Sequence, residues 1–444
     1  MKKNLLIIGN SAKEYALAKL FVEQFNVFVA PGNDAISEFA TVVDIRENNV
    51  TELVDFALEN DIAFTICSSE IAIKSDIARL FEINNLKIFA PTASASSFAT
   101  SKSVGKKLMY KLKIPTPRFG IFEKKPLAID YVKNSRMPVV IKTDSHKTNG
   151  VMVCPTETIA KSFIEDCFFA GEEKIIIEEY VHGTNFSLYA ITDGYKILPI
   201  GSIVDYKFSL EGNGGIITSG MGAYSPCIKL TDDQIAYIIG DIAYPLIDSL
   251  EKQGNPYLGI IGFDGIVTSE GKISIFECNT FLRNHDAQCI LSLINQDVYK
   301  LMEACVIGSF SDDYNYIDTK DEFAVAGVLS SGKSKNSVIE GLDDLQDNTM
   351  VAHLNTKRNE YLEYETQGNS ALVVTTTAKT LSRAKKHCMR NLSLLSLKAK
   401  NIEKIFVLMI ELCNWFFLSF RAFRRRISCK PSRHSEDAVY CASH

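Results

Sequence analysis

Apolar residues near the start of the chain form short runs separated by stretches with helical spacing. The run Asn4 to Gly9 predicts a buried strand, and Ser11 to Phe25 follows with the apolar periodicity of a helix. Similar runs at Val27 to Ala30, Ile62 to Cys67 and Leu86 to Ala90 predict further parallel strands with helices between them. This part of the chain therefore predicts a doubly wound α/β sheet.

Ligands of doubly wound sheets gather at the carboxyl ends of the strands. Asn33 and Glu70 follow two of the predicted strands and are candidates for substrate binding. No complete G-x-G-x-x-G sequence is present, so the pattern does not favour a dinucleotide site. These polar residues either contact a ligand or only form turns.

The next segment predicts a helix from Ala93 to Lys113 and then two strands around a polar loop. The strand Met137 to Lys142 ends in a lysine, residues 143–150 form the loop, and Val151 to Val153 resumes a strand. A lysine at such a bend can hold nucleotide phosphates beneath a lid. Lys102, on the preceding helix, is either a second phosphate contact or a solvated surface lysine.

The run Lys174 to Val181 predicts a strand whose successive acids, Glu178 and Glu179, cannot both face the core. It is either a hinge that offers the backbone of Glu179 and Val181 to an adenine edge, or an edge strand protected by its charges. Farther on, residues 205–207 and 219–226 interrupt the strand pattern. Glycines in the second interruption allow backbone N–H groups to approach an anion.

A β-hairpin is predicted between Gly259 and Gln288, with a turn at Ser269-Glu270-Gly271. Asp264 lies inside an apolar run, where an unpaired carboxylate would be costly. Glu277 and Asn279 are two residues apart and so share one face of their strand. The three oxygen donors suit Mg²⁺, with Mn²⁺ as a possible substitute. The alternative is that Asp264 caps a turn and Glu277 pairs with a surface lysine.

A smaller α/β segment is predicted from Glu322 onward, with strands at Phe323 to Leu329 and Asn369 to Thr376 and a helix at Ala378 to Lys398, and it contains no clustered catalytic residues. Ile405 to Phe420 is apolar, but at sixteen residues with Glu411 inside it is short for a membrane span. A basic run begins at Arg421. We expect an amphipathic helix that contacts a protein partner or a membrane surface, with a membrane anchor as the second possibility and a segment foreign to the rest of the chain as the third.

The composition is that of a globular protein, with 46% apolar and 23% charged residues among 444. The net charge of −5 includes the basic run after Arg421, so the rest of the chain is still more acidic, which disfavours nucleic-acid binding. The eleven cysteines form no C-x-x-C pair, and no secretory signal precedes the first strand. We therefore expect a cytoplasmic protein with reduced thiols and no zinc site.

Several strings occur in the order found in phosphoribosylamine–glycine ligases, and from residue 1 to about residue 400 the chain resembles that family. The most specific string is Gly220-Met221-Gly222-Ala223-Tyr224-Ser225-Pro226. Others are Ala30-Pro31-Gly32-Asn33, Ser101-Lys102, Val140-Ile141-Lys142, Ile177-Glu178-Glu179-Tyr180 and Glu277-Cys278-Asn279. The spacing from Asp264 to Asn279 is also similar to the magnesium site of ATP-grasp ligases.

The resemblance implies an α/β ATP-grasp ligase that makes glycinamide ribonucleotide from glycine, phosphoribosylamine and ATP through an acyl phosphate. It implies the domains 1–95 (doubly wound, substrate), 96–117 with 185–318 (ATP-grasp core), 118–184 (lid), 319–400 (small C-terminal domain) and 401–444 (tail). It also implies roles for individual residues: catalysis by Lys102, Lys142 and Arg283; ATP binding by Lys102, Lys142, Glu178, Glu179, Val181 and Asn185; substrate binding by Asn33, Glu70, Lys207, Gly220, Gly222 and Tyr224; and metal binding by Asp264, Glu277 and Asn279.

The chain departs from the family at several of these positions. Asn185 stands where the family has a glutamate for the ribose, Asp264 replaces a glycine, and Phe281 replaces an arginine. A ligase for a different amino acid and amine, and a nucleotide-binding module without turnover, therefore remain alternatives. The sequence leaves the oligomeric state open.

Overall fold

The protein is described by a computed structural model that covers residues 2–144, 150–210, 214–331, 335–346, 349–399 and 402–405. For residues 207–210, 214–219, 399 and 402–405 it describes the backbone only. The predicted tail lies outside the described residues from residue 406 onward. No helix in the described ranges is long and apolar enough to cross a bilayer.

The N-terminal sheet is parallel and five-stranded, as the apolar runs predict. Its strand order is β3-β2-β1-β4-β5. The central strand is buried along nearly its whole length, which is typical of a parallel sheet covered on both faces. The elements are β1 (Asn4–Gly9), α1 (Ala12–Phe21), β2 (Asn26–Pro31), β3 (Thr41–Val42), α2 (Val50–Glu59), β4 (Ile62–Cys67), α3 (Glu70–Lys74), α4 (Ile77–Ile83) and β5 (Ile88–Phe89).

The single helix predicted over Ala93 to Lys113 is two helices, α5 (Ala93–Thr100) and α6 (Lys102–Lys111). Ser101 separates them because its backbone is extended and its side chain accepts a hydrogen bond from the Val104 N–H. A serine in this position is a favourable N-cap. The break turns the first residue of α6, Lys102, toward the hairpin described below.

A four-stranded antiparallel sheet follows, with the order β6-β9-β7-β8. Its elements are β6 (Phe119–Phe122), α7 (Lys125–Lys133), β7 (Val139–Thr143), β8 (Val151–Cys154), α8 (Glu157–Phe169) and β9 (Ile175–Glu179). Strand β9 is paired on both sides, so the edge-strand interpretation of its two acids was wrong. Glu178 is buried and Glu179 is exposed, as their alternation along a strand requires.

The largest sheet has the order β14-β13-β10-β11-β12-β15-β20-β17. The prediction that residues 205–207 and 219–226 interrupt the strands was wrong, because all of these residues except Pro226 lie inside long paired strands. Through the β12–β15 pairing, this sheet continues into the C-terminal segment. The elements up to that point are β10 (Thr184–Thr192), β11 (Ile197–Leu210), β12 (Gly214–Ser225), α9 (Asp232–Tyr237), a π-helical segment (Ile238–Ala243), α10 (Tyr244–Glu251), β13 (Gly259–Val267), β14 (Ile273–Asn279), α11 (Asn284–Leu293), α12 (Val298–Ile307) and α13 (Phe310–Asp313).

The C-terminal segment adds strands to the largest sheet and builds a sheet of its own, with the order β18-β19-β16-β21-β22. Its elements are β15 (Phe323–Ser330), β16 (Val338–Glu340), β17 (Met350–His353), β18 (Thr356–Arg358), β19 (Tyr364–Thr366), β20 (Ser370–Ala378), α14 (Leu381–Leu394), β21 (Ser396–Ala399) and β22 (Ile402–Ile405). The strands predicted at Phe323 to Leu329 and Asn369 to Thr376 correspond to β15 and β20, whereas the final predicted helix is shorter than expected and is followed by β21.

The N-terminal sheet packs against helices that follow the hairpin. Tyr299 of α12 contacts Phe25 and Phe64, with ring centroids 4.5 and 5.3 Å away. On α1, Tyr15 stacks near His353, which in turn lies 4.3 Å from the Tyr364 ring. The N-terminal part of the chain thus packs against both α12 and the C-terminal segment.

Candidate functional site

The predicted hairpin is present as β13 and β14, and it sets the candidate residues opposite one another. Asp264 is the register partner of Glu277, and Gly262 is the partner of Asn279. The Asn279 side-chain nitrogen is buried and has no hydrogen-bond partner among the described residues. A buried polar group without a partner is costly, and a ligand held against the hairpin would remove that cost.

Asp264 is held by a guanidinium. Its Oδ2 lies 2.8 Å from a terminal nitrogen of Arg283, and its Oδ1 accepts a 2.6 Å hydrogen bond from the Ser187 hydroxyl. Arg283 also contacts Asp286 at 2.8 Å and Asp205 at 3.3 Å. Desolvation opposes the charge on Arg283, but these carboxylates raise its pKa well above the ordinary value. The guanidinium is therefore permanently charged and surrounded by acids.

Glu277 points to a different cation, the ammonium of Lys102, at 3.3 Å. Lys102 is the first residue of α6, and Asp144 sits at the same helix end. The Asp144 carboxylate accepts hydrogen bonds from the Ser103 backbone N–H at 3.0 Å and from the Ser103 hydroxyl at 2.6 Å. Burial works against the charge of Asp144, but the hydrogen bonds from Ser103 and Ser101 lower its pKa. Asp144 thus ties the end of β7 to the helix that carries Lys102.

Lys142, at the end of β7, meets Glu178 of β9 in a buried cluster. The Lys142 ammonium is 3.0 Å from Glu178 Oε2, donates to the Phe276 carbonyl at 3.3 Å and lies over the Phe276 ring. The other oxygen of Glu178 is 3.0 Å from the ammonium of Lys106. The carboxylate is thus shared between two lysines in a region closed to solvent.

The residues predicted to bind ATP, except Lys102, gather around a smaller cavity of about 200 Å³. Lys142, Glu178, Glu179, Val181 and Asn185 all line it. Its remaining walls are largely apolar. They include Pro117, Val140, Val151, Val153, Tyr180, Ile266 and Phe276. An apolar slot with a few polar groups at its rim is typical of a site for a flat ring with a polar tail.

A larger cavity of about 480 Å³ adjoins the smaller one, and Glu277 and Val151 line both. Its wall contains residues from the elements around the N-terminal sheet, from α5 and α6, from β8 and β12, from the hairpin with its following loop and α11, and from the C-terminal segment. They include Lys13, Ser68, Glu70, Lys102, Gly220, Asp264, Glu277, Asn279, Arg283, Asn284 and His285. The cavity can therefore hold a polar ligand against the hairpin residues and the N-terminal sheet together.

Gly220 closes one side of the larger cavity and leaves no room for a side chain. Its φ is +125°, and a Cβ built there would lie 1.9 Å from Cε1 of His285. His285 itself lies 3.3 Å from Asp286, a partner of Arg283. Gly220 thus allows a close approach of β12 to the first turn of α11.

Some predicted substrate-binding residues are not brought to either cavity. Asn33 caps the turn after β2, where its side chain binds the Asn10 carbonyl and the Ile36 N–H. Gly222 faces the neighbouring strand, since its Cβ would lie 2.7 Å from the Ala326 carbonyl oxygen. Tyr224 is buried in the hydrophobic core, which raises its pKa. The side chain of Lys207 lies outside the described residues.

The structure also brings in residues that the sequence reasoning missed. Lys106 was not singled out from the sequence, although it follows Lys102 by four residues and therefore shares its face of the helix. Ser187, Asp205 and Asp286 hold Arg283 from two strands and a helix. No local pattern in the sequence connects them, because the contacts are made by the fold of the sheet.

Protein-family models match the N-terminal part of the chain and the part that follows it. The model described as phosphoribosylglycinamide synthetase, N domain, matches residues 3–98, and the one described as phosphoribosylglycinamide synthetase, ATP-grasp (A) domain, matches residues 100–289. The phosphoribosylamine–glycine ligase of Halalkalibacterium halodurans is 32% identical over 396 residues, covering 86% of this chain and 91% of the relative. That of Clostridium acetobutylicum is 30% identical over 394 residues, covering 86% and 93%.

Solved structures show the same fold. The phosphoribosylamine–glycine ligase of Thermotoga maritima matches with a TM-score of 0.76 at 20% identity, covering 92% of this chain and all of that one. The biotin carboxylase domain of Hydrogenobacter thermophilus 2-oxoglutarate carboxylase, solved with MgADP and bicarbonate, matches with a TM-score of 0.71 at 15% identity, covering 90% and 91%. By the sequence matches above, the chain belongs to the phosphoribosylamine–glycine ligase family of ATP-grasp carbon–nitrogen ligases.

Proposed function

We propose that this protein uses ATP to join the carboxyl group of glycine to the amine of phosphoribosylamine, releasing ADP, phosphate and glycinamide ribonucleotide. The observation that carries the proposal is the meeting of the two cavities at Glu277. One cavity has the apolar walls that a nucleotide base requires, and the other is large and polar enough for the acid and the amine. The relatives named for this reaction support the same choice of substrates.

In this proposal the adenine enters the smaller cavity. The edge of the adenine ring meets the backbone at the end of β9 and just beyond it, at Glu179 and Val181, and the side chain of Asn185 contacts the ribose. The phosphates then extend toward Glu277, with Lys142 lining the smaller cavity and Lys102 lining the larger one. Two ammonium groups there offset the phosphate charge, which is their expected role in phosphoryl transfer.

Glu277 and Asn279 would hold a Mg²⁺ or Mn²⁺ ion. The donors fit, because the Glu277 carboxylate lines both cavities, Asn279 lines the larger one, and both side chains offer the oxygen atoms that such an ion takes. When bound, the ion offsets negative charge on the transferring phosphoryl group.

Asp264 and Arg283 have a positioning role in this scheme. Both oxygens of Asp264 are engaged, one by Arg283 and the other by Ser187. The pair therefore fixes the β13 side of the hairpin and sets the direction of the neighbouring Glu277. Holding reacting groups in place in this way contributes much of the rate advantage in reactions that need no protein nucleophile.

The chemistry then follows in two displacements. A glycine carboxylate oxygen attacks the γ-phosphorus, ADP leaves, and an acyl phosphate forms. The amine nitrogen of phosphoribosylamine attacks the acyl carbon, phosphate leaves, and the nitrogen loses a proton. Lys13 of α1 and Glu70 of α3 line the larger cavity on the side where this second substrate would enter.

The test is ADP release from the full chain with Mg²⁺ and ATP, with phosphoribosylamine generated in the assay and a panel of amino acids. The proposal expects release that requires both glycine and the amine, with glycinamide ribonucleotide detected by mass spectrometry. Release stimulated by another amino acid, or release that does not require phosphoribosylamine, would overturn the substrate assignment.

A second candidate is a ligase of the same mechanism for a different acid and amine. The wall of the larger cavity favours it at one place, where Phe281 is buried beside Arg283 and the guanidinium is already shared by three carboxylates. That wall carries three cations, Lys13, Lys102 and Arg283, against the three carboxylates of Glu70, Asp264 and Glu277, and Arg283 is already engaged by acids. An amino acid or amine other than glycine and phosphoribosylamine would then give the largest stimulation of ADP release in the same panel.

A further inference from the structure

Lys106 is a buried cation whose surroundings the proposed function leaves unexplained. Its side chain is 2% exposed, and its ammonium lies 3.0 Å from Glu178 Oε1. It also donates a 2.6 Å hydrogen bond to the Thr116 hydroxyl and lies over the Phe119 ring. A fully buried lysine is rare because the loss of hydration is costly unless the charge is used.

The positive charge of Lys106 acts on Glu178, whose carboxylate also pairs with Lys142. Glu178 is 3.0 Å from each ammonium, one on each carboxylate oxygen. With both lysines protonated, the three side chains carry one net positive charge. Without Lys106 they would carry none, because Glu178 would neutralise Lys142 completely. Lys142 lines the smaller cavity, so this difference acts directly on any anion placed there.

We propose that Lys106 is a positioning residue that offsets the charge of Glu178, so that Lys142 keeps an uncompensated positive charge for the nucleotide phosphates. Lys106 lines neither cavity and touches no substrate in this scheme. The proposal rests on the nucleotide-binding part of the proposed function, but it does not depend on which acid and amine are joined.

The test is calorimetric titration of the full chain with Mg²⁺ and the non-hydrolysable ATP analogue AMP-PNP. Lys106→Met should weaken binding by about tenfold or more, as expected for losing a unit charge near a desolvated site. Lys107→Met is the matched control, since Lys107 is the next residue of the same helix and is exposed. The double variant Lys106→Met/Glu178→Gln restores one net positive charge and should recover much of the affinity.

A purely structural role for Lys106 would not give this recovery, because the double variant loses the same packing as the single one. Binding by Lys106→Met within twofold of the unmodified chain would overturn the proposal. So would a double variant that binds no better than Lys106→Met. Binding of AMP-PNP by the unmodified chain without glycine-dependent turnover would instead contradict the proposed reaction and leave this inference standing.

The pH dependence of AMP-PNP binding to the unmodified chain is a second test of the role of Lys106. Burial lowers the pKa of Lys106 to about 8, with Glu178 opposing that change and Lys142 assisting it. The groups that face it are Glu178, Lys142, Thr116 and Phe119, with Glu277 farther away. Deprotonation above that pH removes the extra charge, so AMP-PNP affinity should fall between about pH 7.5 and 9. The same loss in Lys106→Arg, which stays charged, would contradict the assignment.

Discussion

Asp264 and Glu277 are register partners across the β13–β14 hairpin, yet each carboxylate contacts a different cation. Arg283 holds Asp264 at 2.8 Å, and Lys102 lies 3.3 Å from Glu277. A guanidinium surrounded by acids is a fixed structural cation, whereas a lysine beside a partly exposed carboxylate can part from it when a ligand arrives. We therefore propose separate roles for the two acids, one in the architecture of the hairpin and one in binding.

Glu277→Gln tests the binding role. The amide keeps the shape of the side chain and removes the charge that would hold the metal, so we expect ADP release to fall about a hundredfold or more. The control is Glu270→Gln in the turn of the same hairpin, where the side chain is exposed and contacts only the exposed Lys272 among the ion pairs described. Steady-state ADP release at saturating ATP is the measurement. Retention of most of the turnover by Glu277→Gln would contradict the metal assignment.

Arg283→Met tests the architectural role. The change would leave Asp264, Asp286 and Asp205 without their shared guanidinium, and breaking a buried ion pair in this way costs about 3–5 kcal/mol. Urea denaturation followed by fluorescence measures the loss in the free energy of unfolding. Lys161→Met is the control, because its pair with Glu157 lies on the surface and such pairs contribute about 1 kcal/mol or less. Equal stability losses in the two variants would show that Arg283 is not a structural cation.

The sequence predicted the hairpin and the parallel sheet because their signals are local. A buried strand such as Asn4–Gly9 appears in the sequence as a continuous run of apolar residues, and Gly271 indicates the turn of the hairpin. The helix break at Ser101 was missed because a serine inside a helical pattern is only a weak signal, although the same residue type is a favourable N-cap where a new helix begins. Local patterns therefore predicted which helices and strands are present better than they predicted the residues at which these elements begin and end.

The contacts within the site were less predictable, because they join distant segments. Arg283 was recognised as a candidate, but its three acidic partners come from β11, β13 and α11. Tyr224 shows the opposite case. It belongs to the most specific string in the sequence, yet its ring lies in the hydrophobic core beside the ammonium of Lys385. Membership in a recognisable string did not distinguish a residue that lines the cavity from one that supports it.

Gly220→Ala tests whether the backbone at the cavity wall needs a glycine. An alanine there would meet the His285 ring at 1.9 Å and would have to adopt a φ of +125°, so we expect a loss of about 1–3 kcal/mol in stability. Displacement of His285 should also reduce turnover. Gly240→Ala is the control, because nothing lies within 4 Å of its added methyl group and the position is helical. That variant should be neutral or slightly stabilised.

The two effects can be separated by measuring both variants for thermal unfolding and for ADP release. If Gly220→Ala unfolds at the same temperature as the unmodified chain, the His285 ring can move away from β12 without a loss of stability. The close approach of Gly220 to His285 would then have no structural importance. A loss of turnover at unchanged stability would place the effect in the cavity itself.

His353 gives a prediction for acid stability. Burial lowers its pKa from the ordinary 6.5 to about 4, although Glu38 opposes that change. Between these values the unfolded chain binds a proton that the folded chain excludes, so the contribution of His353 to stability is present above pH 6.5 and is lost as the pH falls toward 4. The expected loss is roughly 2 kcal/mol between pH 6.5 and 4.5, from about 1.4 kcal/mol for each pH unit.

Urea denaturation at a series of pH values compares the unmodified chain with His353→Gln and His387→Gln. Carboxylates also titrate in this range, so the informative quantity is the difference in slope between variants. His353→Gln should lower stability at neutral pH, because its Nδ1 pairs with the Thr356 hydroxyl at 2.8 Å, but should lose less on acidification. His387 is exposed on α14, and its replacement should leave the slope unchanged. Parallel pH curves for the two variants would show that His353 accepts a proton as readily in the folded chain as in the unfolded one.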